Sequence, residues 1–127
     1  MDGFDLEPLT LQEWLEQTED IRAKLYAYAK TSLPLEVGER HVDFDRAVQN
    51  GDSAGRLVAD ADLYLAQEEA KEILKVKKEH EDLAAPERRA IVKSRISQLS
   101  HLRDALAVTR HTIDKRVFIN QNENRAR

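Results

Sequence analysis

The segment Val92–Ile119, VKSRISQLSHLRDALAVTRHTIDKRVFI, decides the fold. Val92, Leu99, Leu106 and Ile113 recur every seven residues, and Leu102 and Thr109 occupy the steps between. Side chains spaced three and four residues apart fall on one stripe of an α-helix, so the segment reads as a helix with a narrow, coiled-coil-like seam. Ala84-Ala85-Pro86-Glu87 marks its start, because proline lacks a backbone N–H and suits the first helical position. A continuous helix over residues 86–119 would be roughly 50 Å long. The polar residues 120–127 read as a tail that frays.

Upstream, residues 54–84 keep the same spacing at Ala59, Leu63, Ala66, Ala70 and Ile73, with Leu57, Val58, Leu65 and Leu74 widening the face. This predicts a second long helix. Asn50-Gly51-Asp52-Ser53 reads as a break, with Asp52 or Ser53 as the N-cap of that helix. Residues 35–50 then form a short helix weakened by Gly38, with Val37, Phe44 and Val48 on its buried side. Thr10 and Glu13 make a T-x-x-E capping box, which opens a first helix over residues 10–33. Its seam runs through Leu11, Trp14, Thr18, Ile21, Leu25 and Tyr28, and Pro34 ends it. Residues 1–9 remain as an N-terminal tail. The expected architecture is one all-α domain over 1–127, a long antiparallel helical hairpin preceded by two N-terminal helices. Seams this long and narrow are commonly shared between chains, so a homo-oligomer is expected, with Trp14, Ile21, Leu25, Leu99, Leu106 and Ile113 at the interface.

Composition agrees with long, partly wet helices: of 127 residues 35% are charged and 6% aromatic. There is no Cys, which points to a reducing cytoplasm, although a virion protein made there would look the same. No run approaches the ~18 apolar residues of a membrane span. The start, MDGFDLEPL, lacks the basic and apolar regions of a secretion signal.

Two patterns invite a chemical reading and neither supports one. Gly51-Asp52-Ser53-Ala54-Gly55 matches G-x-S-x-G, but a nucleophile elbow needs a strand before it and a parallel sheet around it. In His41-x-Asp43-x-Asp45, His41 and Asp45 sit one helical turn apart and can place two metal ligands on one face, yet a site needs three or four and neither a third nor a fourth is near. His80, His101 and His111 are scattered. No catalytic residue, metal or cofactor is assigned.

Charge is the more informative feature. Residues 1–85 hold 10 Lys and Arg against 20 Asp and Glu, whereas residues 86–127 hold 10 against 4. The net −10 of the first part therefore faces +6 in the second. One reading is a polyanion surface, with Lys93, Arg103, Arg110, Lys115 and Arg116 neutralising phosphates and Phe118 stacking on a base. The other is pairing: Arg103 and Arg110 flank the seam, Arg95 and Arg116 lie on its other step, and Glu68, Glu69, Glu72 and Glu79 are available as partners.

The stretches Leu99-Ser100-His101-Leu102-Arg103-Asp104-Ala105-Leu106 and Thr112-Ile113-Asp114-Lys115-Arg116-Val117-Phe118-Ile119 resemble the terminal helix of T4-type phage recombination mediators. The resemblance covers about the last quarter of the chain. It implies a non-enzymatic, oligomeric accessory protein that binds single-stranded DNA and helps load a recombinase, with Arg116 and Phe118 as the positions carried over. The alternative expectation is a structural or adaptor protein, such as a virion component or assembly factor, acting through helix–helix contacts with other proteins.

Overall fold

The computed structural model describes residues 9–125, apart from the side chains of residues 37 and 123–125. Residues 1–8 of the expected N-terminal tail, residues 126 and 127 of the expected polar tail, and the expected buried side chain of Val37 fall outside the described residues. The described residues form four helices: α1 (Leu11–Lys30), α2 (Val37–Glu79), α3 (Ala85–Arg95) and α4 (Ser97–Arg125). Among the described residues there is no strand. The chain is all-α, as the seams indicate.

Helix α1 begins as its sequence dictates. The Glu13 amide donates to Thr10 Oγ1 at 3.2 Å, and the Thr10 amide donates to Glu13 Oε1 at 3.0 Å. These reciprocal bonds satisfy two amides that the first helical turn leaves without partners. The helix ends four residues before Pro34, where the Thr31 hydroxyl and amide both donate to the Tyr28 carbonyl.

The largest departure from expectation lies in α2, which is one helix of 43 residues. Asn50-Gly51-Asp52-Ser53 does not break it. Helix propensity penalises glycine by about 1 kcal/mol, a cost that packing readily outweighs. Here the glycine is a point of close approach: a Cβ on Gly51 would lie 3.2 Å from Asp114 Oδ1 and 3.5 Å from Ile113 Cγ2. Ala47, Gly51, Ala54, Val58 and Ala61 form a row of small side chains that brings α4 close to the α2 backbone, and all five are buried. This row and Leu57 form the covered face, so that of the expected face Leu57 and Val58 are buried and Leu65 is half-buried, but its central stripe is not. Ala59, Leu63, Ala66, Ala70 and Ile73 are exposed, as is Val48, while Phe44 is half-buried.

The last helix is also corrected. It is interrupted at Ile96 (φ −97°, ψ 5°), which separates α3 from α4. It then continues past Ile119 to Arg125, so that Asn120 is a buried helical residue and not the start of a tail. The heptad seam survives the interruption: Val92, Leu106 and Ile113 are buried, Leu99 is half-buried, and Asn120 extends the seven-residue spacing. Three contacts give the direction of packing. Arg95 reaches Glu72, Arg103 reaches Asp62 and Arg116 reaches Asp43, so ascending α3 and α4 means descending α2. Those helices therefore run antiparallel to α2.

Helix α1 lies over α2 and α4 and supplies Trp14 and Leu25 to the same core as Leu57, Leu106 and Ile113. The Trp14 and Tyr64 rings lie 5.3 Å apart in a tilted pair. Both place their polar ends on acceptors: Trp14 Nε1 donates to Asp60 Oδ2 at 3.2 Å and the Tyr64 hydroxyl to the Leu9 carbonyl at 2.6 Å. Each ring thus buries its apolar surface without stranding a donor.

Gly55 separates packing from propensity. A Cβ there would sit 3.4 Å from Arg110 Cζ, and the Arg110 side chain is half exposed and free to swing away. Gly55→Ala is therefore expected to raise stability by about 0.5–1 kcal/mol in chemical denaturation, by removing a helix-interior glycine. A loss of that size would mean that the Arg110 side chain is held where it stands.

Candidate functional site

Six residues were expected to line a nucleic-acid surface, and the fold disperses them. Arg116 is 7% exposed and points inward. Its Nε and Nη2 donate to the two carboxylate oxygens of Asp43, each at 2.7 Å. Its Nη1 donates to the Thr31 carbonyl at 2.8 Å and to Thr31 Oγ1 at 2.9 Å. The guanidinium carbon also stands 4.4 Å from the centre of the Tyr28 ring, a cation–π distance. An arginine so placed presents no donor to a phosphate. The resemblance that carried Arg116 over as a DNA contact is corrected at this position.

Arg103 and Arg110 remain at the surface but stand beside acids. Arg103 Nε donates to Asp62 Oδ1 at 2.6 Å, and its Nη1 to Asp104 Oδ1 at 3.2 Å. Arg110 Nε lies 3.7 Å from Asp114 Oδ2. Lys93 and Lys115 are exposed on α3 and α4, and Phe118 is 63% exposed. Lys115 follows Arg110 by five residues, which is about 140° around the helix, so the two do not share a face. Arg95, read from the seam as a pairing residue, bonds Glu72 at 3.1 Å and Glu79 at 2.8 Å. The bond from Arg95 holds the Glu79 carboxyl below the ordinary range.

The polar cluster around Arg116 joins three helices. Tyr28 comes from α1, Asp43 from α2, and Arg116 and Asn120 from α4. Tyr28 donates its hydroxyl to Asp43 Oδ1 at 2.8 Å, and Asn120 Nδ2 donates to Asp43 Oδ2 at 2.8 Å. Burial raises the pKa of Asp43, but the hydrogen bonds from Arg116, Asn120 and Tyr28 outweigh it and hold the carboxyl below its ordinary value. Burial, then the bond to Asp43, pushes the Tyr28 phenol well up. The bonds from Tyr28, Arg116 and Asn120 converge on the Asp43 carboxylate and join the three helices, and Asn120 Oδ1 is buried there without a partner among the described residues. His41 and Asp45 are exposed while Asp43 faces inward, so the apparent metal motif is divided between two sides of α2. Gly51–Gly55 lies wholly within α2, with no strand before it.

The sequence reading missed Asp43, Tyr28 and Asn120 as a unit. A usable signal was present: Arg116 and Asn120 lie three and seven residues beyond Ile113 and so continue its seam. Polar residues on a seam that is otherwise apolar require a buried partner.

The expected interface residues are placed differently as well. Trp14, Leu25, Leu106 and Ile113 are buried inside the chain's own core, so they are not free to cover a second chain. One thin hairpin would have left these seams open, but α1 packs across it and closes them. Ile21 is exposed. Leu99 lines a cleft of about 280 Å³ with Leu11, Leu15 and Leu102, below the Arg95–Glu72 pair. What faces solvent as an apolar row is the α2 stripe from Ala59 to Ile73.

No helix among the described residues is long and apolar enough to cross a membrane. No family model matches the chain, and neither a curated protein nor a solved structure matches it.

Proposed function

We propose that this chain is a non-enzymatic structural or adaptor protein that acts through helix–helix contacts with protein surfaces. The observation that carries the reading is how the arginines of α3 and α4 are used. Arg95, Arg103 and Arg116 all bond acids of α2, while α2 turns an apolar row to solvent. Phosphate binding gains from cations that can exchange their counterions for a polyanion, and a cation already bonded to a carboxylate has less to gain. An exposed apolar row on a helix is a surface that another helix can cover.

The mediator-like reading retains Lys93, Lys115 and Phe118, which face solvent. Titration with a labelled single strand at low salt separates the two. The adaptor reading expects no saturable binding. Binding that weakens steeply with salt, by a slope of about 0.7 per phosphate contact, would overturn it in favour of single-stranded DNA and a recombinase partner.

A further inference from the structure

We propose that two copies of this chain pair through α2, running antiparallel along the stripe Ala59, Leu63, Ala66, Ala70 and Ile73. The proposal rests on the helix–helix reading above and names its partner and surface. The five residues step by four, three, four and three, which is the spacing of a two-heptad seam. None of them is covered within the chain: Leu63 is 58% exposed and Ile73 48%, and the neighbouring Leu74 is 66% exposed. Helices α1 and α4 occupy other sides of α2, the first through Asp60 and Tyr64 and the second through Ala54, Val58 and Ala61, and α3 stands beside its C-terminal end, where Ile73 and Lys77 border an open cleft with Arg88 and Val92.

The stripe is its own complement when read in reverse. Seam positions of antiparallel helices meet in one register that places Leu63 opposite the partner's Ala66 and Ala59 opposite the partner's Ala70. Leu63 then fills the space above the partner's Ala66, and the facing Ala59 and Ala70 let the backbones approach. The same register sets Asp52 against the partner's Lys77 and lays the stem of Arg56 along the partner's Ile73. Asp52, Arg56 and Lys77 are all exposed. A two-fold axis repeats every contact, so both ends of the seam close on an acid–base pair. Asp62 then stands beside the partner's Glu69, and Arg103, bonded to Asp62, supplies the counter-charge there. Parallel pairing would instead stack Asp52, Arg56 and Lys77 each on its own copy. That is like charge on like charge at three positions, and it selects the antiparallel arrangement.

Charge reversal tests this directly, because Asp52 and Lys77 are about 38 Å apart along one helix and cannot pair within a chain. Light scattering at micromolar concentration is expected to give about twice the 14.6 kDa chain mass. Lys77→Asp should weaken self-association about tenfold, since two ion pairs become two repulsions. Adding Asp52→Lys to it should restore the wild-type mass. Leu63→Glu should give the monomer mass with an unchanged helical spectrum, as the side chain is exposed in the chain alone. The chain has no cysteine of its own. Ala59→Cys with Ala70→Cys should therefore oxidise to a covalent dimer, the two positions being about 16 Å apart in one helix and too far to bridge internally. Monomer mass across the range overturns the pairing. A dimer that survives Leu63→Glu, or that forms a disulfide through Ala59→Cys alone, overturns this surface and direction. None of these outcomes touches the adaptor reading, whose failure is read separately as salt-sensitive binding of an oligonucleotide.

Discussion

Arg116→Ala is expected to lower the stability of the chain by about 3–5 kcal/mol, the range for breaking a buried ion pair by removing one partner. The loss is large because Asp43 stays behind, 4% exposed, with a charge that only Tyr28 and Asn120 then hydrogen-bond. Replacing both partners with apolar residues, Arg116→Met with Asp43→Leu, should recover much of the loss, since no charge is left stranded. Chemical denaturation measures both, and a loss under about 1 kcal/mol for Arg116→Ala would mean that water reaches the pair. The pH dependence carries a fixed sign. The folded-state pKa of Asp43 lies below its unfolded value, so its contribution is full above the unfolded pKa of about 4 and is lost as pH falls through the lower folded value. Stability of the wild type should therefore fall on acidification over that window, and the apolar double variant should fall less.

Leu106→Ala is expected to cost about 2–5 kcal/mol, the range for truncating a fully buried leucine. Leu106 has no exposed surface and sits mid-seam in the core with Ile113 and Leu57. Lys93→Ala, at an exposed position of α3, should change stability by no more than about 0.5 kcal/mol. Equal effects at the two positions would show that the seam of α3 and α4 is set in the wrong register.

Local signals with short reach were legible in the sequence. The Thr10–Glu13 capping box is a contact between residues three apart, and Pro34 acts on its own neighbours, so both could be read without knowing the fold. The seam through Val92, Leu106 and Ile113 was legible because large apolar side chains on one stripe have few alternatives to burial. Features that depend on what another helix brings were not legible. Asn50-Gly51-Asp52-Ser53 reads as a break by propensity, and the presence of Ile113 and Asp114 against Gly51 turns it into a contact point. On α2 the three–four spacing pointed to the stripe from Ala59 to Ile73, but the fold buried the row of Ala47, Gly51, Ala54 and Ala61 beside Leu57 and Val58, because those small residues let α4 approach the backbone. Arg116 could be placed on the seam but not joined to Asp43, 73 residues away, by any local rule.

The unbroken α2 and the interrupted α3 and α4 give the molecule one stiff rail and one jointed rail. At 1.5 Å per residue α2 measures roughly 64 Å, and bending it at Asn50–Ser53 would break backbone bonds and pull Gly51 out of its contact with α4. The turn over residues 80–84, beside the Arg95–Glu79 pair, therefore keeps a fixed distance from the Asp43 cluster at the other end. The second rail is interrupted only locally at Ile96, where bonds from the Ile96 amide to the Val92 carbonyl and from the Ser100 amide to the Ile96 carbonyl bridge the interruption.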